Sequence, residues 1–219
     1  YVKLVQGVGG DEPHYLIITH SLLVDGDLQI ENNHVDEHYR PFYPGFLPQH
    51  YIQRGRGGII YSVHSPGLPA LMLPFYAVGG QWGAMALIGL IAAFAALAIF
   101  DLAERLGSRG TALFTWGAVS LTVPFVLHSW SIYPEMPAAL LMAWTALWLW
   151  VPVPERATAW LWRGLALAWL PWLHIKYSLL AAVAILCLIV RLWPRMRHVV
   201  MLLVPIGVSG GLWLAGFFV

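Results

Sequence analysis

Charge is scarce in this chain and cysteine almost absent. Only 11% of the 219 residues are charged against 59% hydrophobic, and the mean hydropathy is +0.67. A water-soluble core of this length cannot hide that much apolar surface, so the expected solvent is a lipid bilayer. A formal net charge of +1 offers no basic field to a phosphate backbone, which argues against a nucleic-acid partner. The single cysteine, Cys187, lies within an apolar run and excludes both a disulfide framework and a cysteine-ligated metal centre. An initiator methionine is also missing. The start at Tyr1 and the apolar run up to Val219 predict a piece of a longer protein.

What is present is apolar sequence in long runs. A helix needs about 20 residues to cross roughly 30 Å of hydrocarbon. About six crossings are expected, over 82–103, 111–128, 135–151, 158–173, 177–190 and 198–219. Twelve Trp and nine Tyr suit the aromatic belts of membrane interfaces. Arg105 and Arg109, then Arg156 and Arg163, then Arg191, Arg195 and Arg197 fall in alternate connections, which predicts that those connections are cytoplasmic. Residues 129–134 and 174–176 then face outward with the polar N-terminal region. The expected organisation is an outer loop over 1–65, a juxtamembrane helix over 66–80 that Gly79-Gly80 separates from the next run, and a helix bundle over 81–219. Within the loop, residues 13–24 predict a short helix ended by the Asp25-Gly26-Asp27 turn and lying along the membrane surface.

Three places could carry chemistry. Asp11 and Glu12, in Gly10-Asp11-Glu12-Pro13-His14-Tyr15, are adjacent carboxylates at a membrane exit. The structural alternative is that Asp11 caps the helix that Pro13 helps to start. Glu135, in Ile132-Tyr133-Pro134-Glu135, opens an apolar run at its outer mouth, where the helix dipole alone could account for it and where an ionisable residue is also a functional candidate. Lys176, in His174-Ile175-Lys176-Tyr177, is a cation on the outer side against the usual bias. It either snorkels to lipid headgroups or holds a phosphate.

Two metal patterns in the loop fail on context. His34-Val35-Asp36-Glu37-His38 matches the His-x-x-Glu-His spacing of inverted zinc proteases, but Asn32-Asn33 before it and Pro41 after it leave barely a turn or two of helix. Asp25, Asp27 and Glu31 suggest a calcium loop, yet Ile30 stands where such a loop requires glycine.

Taken in order, Asp11-Glu12-Pro13-His14-Tyr15, Leu22-Leu23-Val24-Asp25-Gly26-Asp27-Leu28, His64-Ser65-Pro66-Gly67-Leu68-Pro69 and Tyr133-Pro134-Glu135 resemble the GT-C superfamily of membrane glycosyltransferases, near its protein O-mannosyltransferase and aminoarabinose transferase branch. The resemblance implies an all-α polytopic bundle in a bacterial plasma membrane, with an active site in the outer loop. It also implies a polyprenyl-phosphate sugar donor and inverting transfer to a glycan, lipid or protein hydroxyl in the cell envelope. No cofactor or metal is required by that scheme. One carboxylate base suffices, because a phosphate leaves without being protonated. Asp11 is the expected base with Glu12 as its competitor. Glu135, Lys176, His64, His174 and Tyr15 are the expected substrate-binding residues, and Arg54, Arg56 or His64 could reach the phosphate only if the loop folds back. Where the aminoarabinose branch has Lys-Pro-Pro, this chain has His64-Ser65-Pro66. The competing expectation from another class is a polytopic transporter or lipid flippase, with Glu135 and Lys176 lining a pathway.

Overall fold

The computed structural model describes residues 8–218. All regular structure among them is helical. The elements are α1 (Glu12–Val24), α2 (Glu31–Val35), α3 (Gly67–Leu106), α4 (Arg109–Ser120), α5 (Val123–His128), α6 (Glu135–Trp150), α7 (Ala159–Ala168), α8 (Leu170–Leu173), α9 (Ser178–Leu192) and α10 (Met196–Phe218), with short 3-10 turns at Arg56–Gly58 and Ile175–Tyr177. The chain divides into two compact units, Tyr1–Leu90 with Leu127–Pro134 and Ile91–Val126 with Glu135–Val219.

Among the described residues, three helices are long and apolar enough to cross a membrane: Gly67–Leu106, Ile175–Leu192 and Met196–Ala215. The first is two helices in one hydrogen-bonded run. Gly80, at φ 55° and ψ −140°, breaks it in a conformation open to glycine and costly to residues with a Cβ. The part beyond the break, about 26 residues at 1.5 Å each, still covers roughly 39 Å. The other three expected crossings are not single long helices. Residues 111–128 divide at Leu121-Thr122, where Pro124 lacks the N–H that would continue the ladder. Residues 158–173 divide at Trp169, ahead of Pro171. Glu135–Trp150 is one helix of 16 residues, about 24 Å long.

In the first unit α1 is a core element, not a helix lying along a surface. Pro13 through Thr19 are all buried, so the helix has no polar face to turn outward. Burial on all sides replaces the amphipathic stripe that a surface helix needs. Ile18, Ile30 and Ile60 pack together with Leu22 and Leu28 against them. A short antiparallel bridge joins Gln29 to Tyr61, and the Ile30 N–H donates to the Ile60 carbonyl at 3.2 Å. That pairing folds residues 47–64 back toward α1.

In the second unit α7 and α10 form the most extensive helix pair. Gly164 permits it. A Cβ there would fall within contact distance of the Leu202 carbonyl and the Pro205 ring, and Leu167 and Leu202 are fully buried. Small residues let helix backbones approach in this way where the hydrophobic effect does not drive association. Arg163, expected in a connection, lies inside α7, donates to the Ala159 carbonyl and packs over the Trp160 ring at 4.8 Å. Arg191 donates to the carbonyls of Leu149 and Val151, which the end of α6 leaves without helical partners.

Overpacking at Gly164 should therefore be costly. Gly164→Val is expected to lower stability by about 1–3 kcal/mol, seen as a reduced thermal midpoint in detergent. An unchanged midpoint would show that α7 and α10 do not approach this closely.

Candidate functional site

The two carboxylates at the start of α1 have different surroundings. Glu12 is 2% exposed and faces backbone. Its Oε1 accepts from the Ile132 N–H at 2.7 Å and its Oε2 from the Gly9 N–H at 2.9 Å. A carboxylate in the first turn of a helix is also favoured by the dipole. Glu12 thus ties the start of α1 to a segment 120 residues away.

Asp11 precedes the helix but its side chain makes no capping bond. Its backbone N–H donates to the Tyr133 hydroxyl at 3.1 Å. Gly10, at φ 60°, passes so close to that hydroxyl that a Cβ would collide with it. Held by its backbone on this side, Asp11 turns its half-exposed carboxylate elsewhere, with Oδ1 3.9 Å from both His50 Nδ1 and His64 Nε2. The capping alternative for Asp11 is not what the side chain does.

Beside Asp11 stand the imidazoles of His50 and His64, and the His14 ring packs against both. His14 comes from the first turns of α1, while His50 and His64 come from the segment that the Gln29–Tyr61 bridge folds back. The His14 ring stacks on His50 at 3.7 Å and lies 5.4 Å from His64. His50 Nδ1 and His64 Nε2 are 3.4 Å apart. Burial first, and then the neighbouring His50, His64 and His34, push the His14 imidazole down to about 3, so it is neutral at physiological pH. Buried Tyr15 forms one wall, with its ring 4.9 Å from His64 and edge-on to Tyr133. His14 and His50 had no role assigned from sequence; the only signal was the concentration of histidine in the first 65 residues.

The other expected residues lie elsewhere. Arg54 is committed to Glu31, donating to its two oxygens at 2.8 and 3.0 Å, and is not in the Asp11 cluster. The Arg56 side chain lies outside the described residues. Glu135, Lys176 and His174 belong to the second unit. Lys176 Nζ donates to Glu135 Oε1 at 2.7 Å, a partly exposed pair of the kind worth about 0–1 kcal/mol. His174 Nδ1 accepts from the Lys176 N–H at 3.1 Å. Burial, and next the Lys176 charge, hold the His174 imidazole below its ordinary value.

The two rejected loop patterns stay rejected in three dimensions. Helix α2 ends at Val35, Glu37 has φ 54° and pairs with Arg40, and His34 Nδ1 meets the Leu47 carbonyl, so the His-x-x-Glu-His residues share no helical face. Asp25 accepts from Asn32 and Asn33, Asp27 from Ser21 and the Gln29 N–H, and Glu31 from Arg54; these carboxylates do not converge on a cation.

No family model, curated protein or solved structure matches this chain.

Two outcomes are expected. Glu12→Gln presents an amide donor where a carboxylate oxygen now meets a backbone N–H. It should cost about 1–3 kcal/mol, the penalty for a buried donor left without an acceptor, read as a lower thermal midpoint, whereas Asp11→Asn should leave that midpoint in place. Equal effects of the two substitutions would contradict the division between them. The second outcome concerns pH. His20 and His34 are held below the usual 6.5, chiefly by burial, so the unfolded chain takes up protons that the folded chain refuses. Stability should be level above pH 6.5 and fall as pH drops below it; a midpoint that does not change between pH 7.5 and 5 would refute this.

Proposed function

We propose that this chain carries the catalytic part of a polytopic membrane glycosyltransferase of the GT-C type. It moves a sugar from a polyprenyl-phosphate donor to an acceptor hydroxyl at the extracytoplasmic face, with inversion. One observation supports the reading most: of two adjacent carboxylates, Glu12 is buried and accepts two backbone hydrogen bonds, while Asp11 remains half-exposed beside the imidazoles of His50 and His64. A base must reach the proton it takes, and Asp11 is the member of the pair that can. The three helices long and apolar enough to cross a membrane, and the order of the outer-loop motifs, agree with this reading.

Asp11 is the proton acceptor in this mechanism. The acceptor O–H bond breaks toward Asp11 Oδ, the freed electron pair attacks the anomeric carbon, and the bond from that carbon to the phosphate oxygen breaks on the opposite face. The phosphate leaves with the bonding pair as a stable anion and needs no proton, so a second carboxylate acting as acid is not called for. Tyr15 and His64 bound the space beside Asp11 where an acceptor would enter. The assignment rests on the first unit alone.

The test uses the full-length protein in membranes with a panel of radiolabelled polyprenyl-phosphate sugars. Transfer is expected with the wild type and should fall about 10²–10⁴-fold in Asp11→Asn, the usual contribution of a positioned base, at unchanged thermal midpoint. A folded wild-type protein that consumes no donor would replace this reading with transport, measured next as substrate flux across vesicles.

A further inference from the structure

We propose that His14, His50 and His64 form a binding site for one divalent transition-metal ion of the zinc class, with Asp11 bordering its fourth position. This goes beyond the transfer reaction and does not depend on it. One ring nitrogen from each histidine can be chosen so that the three lie within 4.8 Å of one another. Zinc to imidazole nitrogen distances of 2.0–2.1 Å set the edge of a tetrahedral site at about 3.3–3.4 Å. His50 Nδ1 and His64 Nε2 already stand 3.4 Å apart. The longest separation exceeds that edge by at most about 1.4 Å, and binding requires the stacked His14 and His50 rings to turn their nitrogens toward a common point.

The donor set selects the ion. Three imidazoles beside one carboxylate suit zinc or its neighbours in the first transition row, whereas magnesium and calcium require oxygen ligands. The protein also supplies what such a site requires before an ion arrives. The three rings are brought together from residues 14, 50 and 64 by a buried helix and a folded-back segment, not by local spacing. His14 Nδ1 is buried without a hydrogen-bond partner, a position that is unfavourable unless something satisfies it. Asp11 Oδ1, 3.9 Å from the two closest nitrogens, brings negative charge toward a dication.

Other histidine contacts differ in kind. His20 and His38 approach at 4.9 Å between ring centroids, and His38 Nδ1 is engaged by Asn33. His38→Ala therefore serves as the control.

Zinc chloride titrated into the detergent-solubilised, chelator-treated protein against a chromophoric competitor should show one tight site per chain. His50→Ala and His64→Ala should each weaken it by more than about 100-fold, beyond the roughly 10–100-fold loss expected from an outer-sphere partner. His38→Ala should leave it unchanged. His50 is the safer variant for folding because its side chain is 40% exposed, and a thermal midpoint measured without metal confirms that each variant is folded. The proposal is overturned if folded wild type binds no stoichiometric zinc, or if binding persists at full strength in His50→Ala and His64→Ala.

Discussion

The first unit depends on one buried carboxyl group. Glu12 is 2% exposed, and a polar group so placed is tolerable only when its oxygens find hydrogen-bond partners. Two donors to it are the backbone amides of Gly9 and Ile132. Because they belong to the approach to α1 and to a segment 120 residues later, the same requirement that keeps Glu12 satisfied also closes the fold around α1. The Asp11 amide and the Tyr133 hydroxyl add a second tie beside it.

This constraint gives two neighbouring acidic residues different roles. Successive residues at a helix start point about 100° apart, so when Glu12 turns into the protein its neighbour must face another way. Asp11 faces the imidazoles of His50 and His64, and α1 adds His14 from the next positions of the same turn. The cluster therefore follows from the burial of Glu12, from the burial of α1 through Thr19, and from the Gln29–Tyr61 bridge that returns the second half of the loop. A half-exposed carboxylate, three converging imidazoles and a buried nitrogen lacking a partner are the features on which the proposed transfer chemistry and the proposed metal site rest.

The second unit is organised by different means. Gly164 allows close helix approach, and Arg191 satisfies carbonyls at the end of α6. The Lys176–Glu135 pair leaves neither charge alone at the start of that helix. These devices suit segments whose outward faces are apolar, where polar groups must find partners within the protein.

Composition and run length by themselves determined the helical class and the presence of segments able to cross a membrane, because apolar content and length are properties of the chain before it folds. The regions around Trp82, Tyr177 and His198 were legible for that reason. The breaks at Leu121-Thr122 and Trp169 were less so, since hydropathy averages over the prolines that interrupt the ladder. The importance of Asp11 and Glu12 could be read from their adjacency; the difference between them could not. Only tertiary structure decided which carboxylate is buried, that α1 is a core helix, that Arg54 belongs to Glu31, and that His14, His50 and His64 meet. Each of these depends on contacts between residues far apart in sequence, and neither periodicity nor local propensity carries information about which distant segment supplies the partner.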